Sequence, residues 1–127
     1  MIVVDTSALI AVAANEPEAA ACEGALLAND LLISAATLAE TLIVARRKDV
    51  EASLHALLDG LGLEVIDMDE GLAILAADAY GRWGRGVHRA RLNYGDCFSY
   101  AMAERYDCPL LYVGDDFART DIVSALD

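Results

Sequence analysis

Met1-Ile2-Val3-Val4-Asp5-Thr6-Ser7-Ala8-Leu9-Ile10 opens the chain, and its first half decides the fold. Ile2, Val3 and Val4 form a β-branched run that reads as a short buried strand, and Asp5 closes it. Three more short apolar runs follow: Leu31 to Ile33, Leu63 to Ile66 and Leu110 to Val113, the last closed by Gly114-Asp115-Asp116. The stretches between them read as helices. Asn15-Glu16-Pro17 starts one, with Asn15 as cap and Pro17 in the first turn, and it runs to about Ala28. Ser34 or Thr37 caps a second that reaches the basic turn Arg46-Arg47-Lys48. Val50 to Leu58 is a third, ended by Gly60 and Gly62, and Asp69 opens a fourth with Leu72, Leu75, Ala76 and Ala79 at helical spacing. Gly81, Gly84 and Gly86 then predict a loop, after which Asn93-Tyr94-Gly95-Asp96 has the form of a capping box for a fifth helix. The tail offers Ile122-Val123 as a further edge strand. Strands alternating with helices require crossover connections, hence an α/β fold with a mostly parallel sheet covered on both faces.

The 127 residues fit a single domain, 1–127, and a hydrophobic content of 57% is enough to build a core. No apolar run is long enough to span a bilayer, and no lysine or arginine precedes Arg46 to form the basic head of a secretory signal. Cys22, Cys97 and Cys108 form neither a disulfide framework nor a zinc pattern, so the expected location is the cytoplasm. The net charge of −12 excludes a protein that grips nucleic acid by general counterion release. It leaves room for one whose acids gather around cations, because bound ions reverse the local sign.

In open parallel sheets, ligands bind beyond the carboxyl ends of the strands. Val4 leads into Asp5, Val113 into Gly114-Asp115, and Ile33 into the helix carrying Glu40, while Asp96 sits in the first turn of its helix. Each has an ordinary reading as a turn, cap or surface acid. If they converge, their mutual repulsion calls for a cation, and hard oxygen donors without cysteine or histidine point to Mg2+, with Mn2+ as substitute. A cation so placed would activate water and stabilise charge on a phosphate.

At these residues the chain resembles the PIN-domain ribonucleases, specifically the VapC-like toxins of toxin–antitoxin modules. Ile2 to Ile10 resembles the first acidic motif, Ser34 to Thr41 the second, Leu92 to Ala101 the third and Leu110 to Asp121 the fourth. The resemblance implies a three-layer α/β/α sandwich with a central, mostly parallel sheet of four or five strands. It implies a metal-dependent endoribonuclease, commonly a homodimer, restrained by a cognate antitoxin protein. It places Asp5, Glu40, Asp96 and Asp115 in the catalytic and metal-holding positions, with Asp116 auxiliary and Thr6 or Ser7 hydrogen-bonding beside the site.

Four of the eight arginines, Arg82, Arg85, Arg89 and Arg91, fall in the glycine-rich segment just before Asp96. Their proximity in sequence predicts phosphate contacts at the rim of the cleft. Trp83 within that segment is either a base-stacking platform or, as favoured here, an anchor for the loop, and Tyr94 divides between site rim and core edge. His88 is a candidate base without a placed partner. Lys48, the sole lysine, lies in a different sequence context from the acids. The alternative function is a catalytically silent PIN-like module that binds a partner's basic residue through its acidic pocket. A phosphatase-like or response-regulator-like domain would need a nucleophilic aspartate with specific lysine or threonine companions.

Overall fold

A computed structural model of the chain, described over residues 1–126, contains a four-stranded parallel sheet in the order β3-β2-β1-β4. The strands are β1 (Ile2–Val4), β2 (Leu31–Ser34), β3 (Leu63–Ile66) and β4 (Leu110–Leu111). Helices α1 (Thr6–Ala13) and α2 (Ala19–Ala28) connect β1 to β2, α3 (Ala35–Arg47) and α4 (Glu51–Gly60) connect β2 to β3, and α5 (Glu70–Trp83) and α6 (Tyr94–Tyr106) connect β3 to β4.

Alternation along the buried strands builds two cores, one on each face of the sheet. Ile2, Val4, Leu31, Ile33 and Leu111 join α1, α2 and Leu54 of α4 on one side. Val3, Leu32 and Leu110 join α5 and α6 on the other. This is the expected three-layer sandwich. Among the described residues, no helix is long and apolar enough to cross a membrane.

Several local expectations are corrected by tertiary packing. Residues 6–13, to which the sequence reading assigns no element, form a helix with buried side chains on several sides. Asp5 caps this helix by accepting from the Ser7 N–H. Asn15 caps nothing: it takes a positive φ of 52° just beyond α1, and α2 begins only at Ala19. Gly81 does not break α5, which continues to Trp83. The fourth strand is shorter than Leu110 to Val113, because the Val113 N–H is taken by the Ser7 hydroxyl at 3.0 Å instead of a neighbouring strand. The tail touches β4 through a single bridge between Leu110 and Ser124. Ser34, not Thr37, caps α3, accepting from the Thr37 N–H at 3.0 Å.

The strand order fixes where a site can form. From β1 the chain crosses over to β2 on one side, while β4 adds on the other, so β1 is the strand at which the winding direction changes. A crevice opens beyond the carboxyl end of such a strand. Asp5 is the residue standing there.

Candidate active site

Asp5 is almost fully buried, at 4% exposure, and survives there because its carboxylate is well supplied with donors. Oδ2 accepts from the Ser7 N–H at 3.0 Å and from the Ser7 hydroxyl at 2.6 Å, and Oδ1 accepts from the Ser99 hydroxyl at 2.5 Å. Ser7 is itself held by the Val113 N–H. The end of β1, the turn after β4 and the middle of α6 are thereby tied together through one side chain.

Glu40 lies one and a half turns into α3, half-buried. Its Oε1 accepts from the Thr6 hydroxyl at 2.7 Å, and Thr6 lies 3.0 Å from the hydroxyl of Thr41. Oε2 points at the first turn of α6, close to Gly95. Any Cβ at position 95 would run into the Glu40 carboxylate and displace it, so glycine here leaves that carboxylate its place against α6. Burial pushes the Glu40 carboxyl up, Thr6 pulls it down, and the negative charge of Asp5 raises it further.

Asp96 is fixed by the capping box. The Asn93 side chain accepts from the Asp96 N–H at 2.8 Å, and Asp96 Oδ2 accepts from the Asn93 N–H at 3.0 Å. Burial is the main influence that drives its carboxyl up to about 7, against the opposing Asn93 hydrogen bond. The charges of Asp5, Asp116 and Glu40 add to the rise. Asp5, Glu40 and Asp96, from three separate segments, line one cleft of about 320 Å³.

The remaining expected residues divide. Thr6 and Ser7 line the cleft and orient its acids. Asp115 and Asp116 are exposed beyond Gly114, whose φ of +107° turns the chain; Asp116 adds its field to Asp96, whereas Asp115 makes no described contact with the other acids. Arg82, Arg85, Arg89 and Arg91 do not line the cleft. Arg82 is helical and pairs with Glu104 and Asp121, each at 3.4 Å, so its sequence proximity to Asp96 does not become proximity in space. Trp83 packs into the core on Tyr100 and against the edge of His88, which agrees with an anchoring role. His88 Nδ1 accepts from the Ala90 N–H at 3.0 Å and serves the loop's own geometry. Tyr94 projects into solvent beside the site, 77% exposed and edge-on to Phe98.

Two participants escaped the sequence reading. Ser99 donates to Asp5 and is placed by helical spacing, three residues after Asp96 on the same face of α6, a signal available in principle. Lys48 is a correction: it lines the same cleft as the acids despite its distance in sequence.

Among the described residues, no three acidic, histidine or cysteine side chains approach closely enough to form a ready metal cage. The donor set nevertheless suits a hard divalent cation. Only oxygen donors are offered, hydrogen bonds engage just one carboxylate oxygen each of Glu40 and Asp96, and Asp96, raised first by burial and further by the charges of Asp5, Asp116 and Glu40, is an acid whose ionised form a cation would stabilise.

Comparison with known proteins places these features in a family. The PIN domain matches residues 2–123. The chain is 40% identical over 126 residues to a ribonuclease VapC of Mycolicibacterium smegmatis, covering 96% of this chain and 98% of that one. It is also 40% identical to ribonuclease VapC30 of Mycobacterium tuberculosis, covering 96% of each. Among solved structures it is similar in fold to VapC20 of Mycobacterium tuberculosis, a toxin that cleaves the sarcin-ricin loop, with a TM-score of 0.77, 19% identity and 97% of each chain covered. A toxin–antitoxin complex from Klebsiella pneumoniae aligns with a TM-score of 0.74 and 19% identity, covering 100% of this chain and 98% of that one.

Proposed function

Since the chain belongs to the PIN-domain family, in its VapC ribonuclease toxin branch, we propose that Asp5, Glu40 and Asp96 form the metal-dependent active site of an endoribonuclease. The observation that carries the reading is the convergence of these acids on one cleft at the end of β1. Residues 1–127 act as one PIN-like domain in the cytoplasm.

Asp5, Glu40 and Asp96 would hold Mg2+, or Mn2+ in its place, and Asp116 would add charge at the rim. A divalent cation bound there supplies Lewis acidity toward the scissile phosphate and a more acidic water. The protein's own contribution is orientation. Ser7 and Ser99 hold both Asp5 oxygens, Thr6 holds one Glu40 oxygen and leaves the other facing α6, and the Asn93 cap fixes Asp96. Groups prearranged in this way need not reorganise when substrate enters. Asp115, exposed and not among the residues lining the cleft, fits a role at its mouth.

The acidic surface implied by the net charge of −12 would attract a partner that offers a basic side chain to the cleft, as a cognate antitoxin would. A homodimer is the expected assembly.

Purified protein with Mg2+ should cleave structured RNA, and Asp5→Asn or Asp96→Asn should abolish that cleavage while the far-ultraviolet circular dichroism stays folded. Equal cleavage by wild type and both variants would defeat the assignment. Tight capture of a basic partner with no cleavage of transfer, ribosomal or messenger RNA would instead make the fold a silent binding module.

A further inference from the structure

The cleft does not end at the carboxylates. It continues along α3, where Glu40, Val44 and Lys48 follow one another at four-residue intervals and all line it. Ile10 and Val113 supply further apolar wall, and Glu16 also lines the cleft. Eight residues of helix separate Lys48 from Glu40 by about 12 Å of axial rise. A flexible side chain of that kind covers the stretch of cleft beside the acids rather than the acids themselves.

The distribution of the other cations gives Lys48 its importance. Arg46 pairs with Glu51 at 3.4 Å, Arg82 with Glu104 and Asp121, and Arg105 with Asp69 at 3.1 Å. Arg85, Arg89 and Arg91 are exposed but lie outside the cleft. Among the described residues, Lys48 is the one cation lining the cleft, and it forms no ion pair within 4.0 Å. On a chain of net charge −12, every other charged residue lining the cleft is acidic, so Lys48 is the lining charge that attracts a polyanion.

The geometry points to Lys48 as the residue that binds an RNA backbone phosphate next to the scissile one. This assignment rests on the ribonuclease reading and adds to it the direction in which substrate lies: along α3, past Val44, and away from the arginine-rich loop. An ammonium is a compact point charge that grips phosphate without reading a base, so the contact positions the strand and leaves sequence preference to other groups.

Steady-state cleavage of a single-stranded RNA oligonucleotide in Mg2+, and anisotropy of the same oligonucleotide with Ca2+ in place of Mg2+, test this on wild type, Lys48→Gln and Lys48→Arg. Lys48→Gln should raise KM about fivefold with kcat within about twofold, as loss of one phosphate contact does. The slope of log affinity against log salt should flatten by about 0.7, one single-strand phosphate's worth. Lys48→Arg should restore both. If wild type cleaves and binds while Lys48→Gln matches it in KM and salt slope, the Lys48 assignment falls and the ribonuclease reading stands. A Lys48→Gln defect that appears only as a lower melting temperature, with the salt slope unchanged, assigns Lys48 to a structural pairing with Glu16 and also overturns it. If wild type cleaves and binds neither this oligonucleotide nor structured RNA, the ribonuclease reading falls and takes this assignment with it.

Discussion

The end of β1 and the start of α6 each bring one aspartate to the cleft, and they treat it in opposite ways. Asp5 is buried to 4% exposure but receives three hydrogen bonds, two from Ser7 and one from Ser99. Asp96 is less buried by residue yet receives one, from the Asn93 N–H, and faces Asp5, Asp116 and Glu40. The first is a charge the fold has already compensated, and removing it strands donors. The second is a charge the fold has left in deficit. A site that holds a cation needs both kinds: a fixed anchor that sets position, and a strained acid whose repulsion the cation relieves.

Among changes that leave every acid in place, the largest effect on this arrangement should come from Gly95→Ala. The new methyl displaces the Glu40 carboxylate from α6, and a shift of about 1 Å at a reacting centre costs on the order of 100-fold in kcat/KM. Cleavage kinetics beside an unchanged circular dichroism spectrum would check it. Activity within threefold of wild type would mean that the contact between Glu40 and the α6 terminus is dispensable.

Next come the two aspartates in chelator at pH 8, measured by denaturant unfolding, where their amides should move stability in opposite directions. Asp5→Asn leaves a serine donor facing an amide and should cost about 1–3 kcal/mol. Asp96→Asn keeps an acceptor for Asn93 and removes the uncompensated charge. It should stabilise by on the order of 2 kcal/mol, roughly half the full conversion of the rise to about 7, since part of the side chain reaches solvent. Destabilisation of both by the same amount would erase the distinction drawn between them.

A related titration sharpens the point. Because the folded-state pKa of Asp96 is raised, the folded protein binds a proton that the unfolded chain has lost over the interval from about 4 to about 7. Its contribution is therefore fully present below that interval, declines as the pH rises through it, and is gone above. Asp69, held low chiefly by its hydrogen bond to Arg105, acts in the opposite sense at acidic pH and is common to both proteins. The stability difference between Asp96→Asn and wild type in chelator should thus grow from pH 5 to pH 8, and Mg2+ should shrink it. A difference independent of pH would remove Asp96 as the strained acid.

The smallest effect belongs to Ser99→Ala, which takes one of three donors from Asp5 and should cost about 1–2 kcal/mol by thermal or denaturant unfolding. A neutral result would show that Ser7 alone holds Asp5.

What could be read along the chain was whatever depends on a few neighbouring residues. The β-branched run into Asp5, the Asn93 capping box, Ser34 before its helix and the alternation of strands with helices all rest on local backbone preference, and each reappears in the structure. Local preference misled at Gly81, which stays helical where a loop was expected.

Only packing between distant elements could decide which charges share the cleft. Lys48 enters it because α3 carries Glu40 and Lys48 along one side, whereas Arg82, far nearer to Asp96 in sequence, is drawn away to Glu104 and Asp121. Hydrogen bonding within a few residues shapes a helix or a turn, but the distance between two charges on different elements depends on how the sheet orders its strands and how the helices pack, as where Gly95 of α6 leaves room for the Glu40 carboxylate of α3.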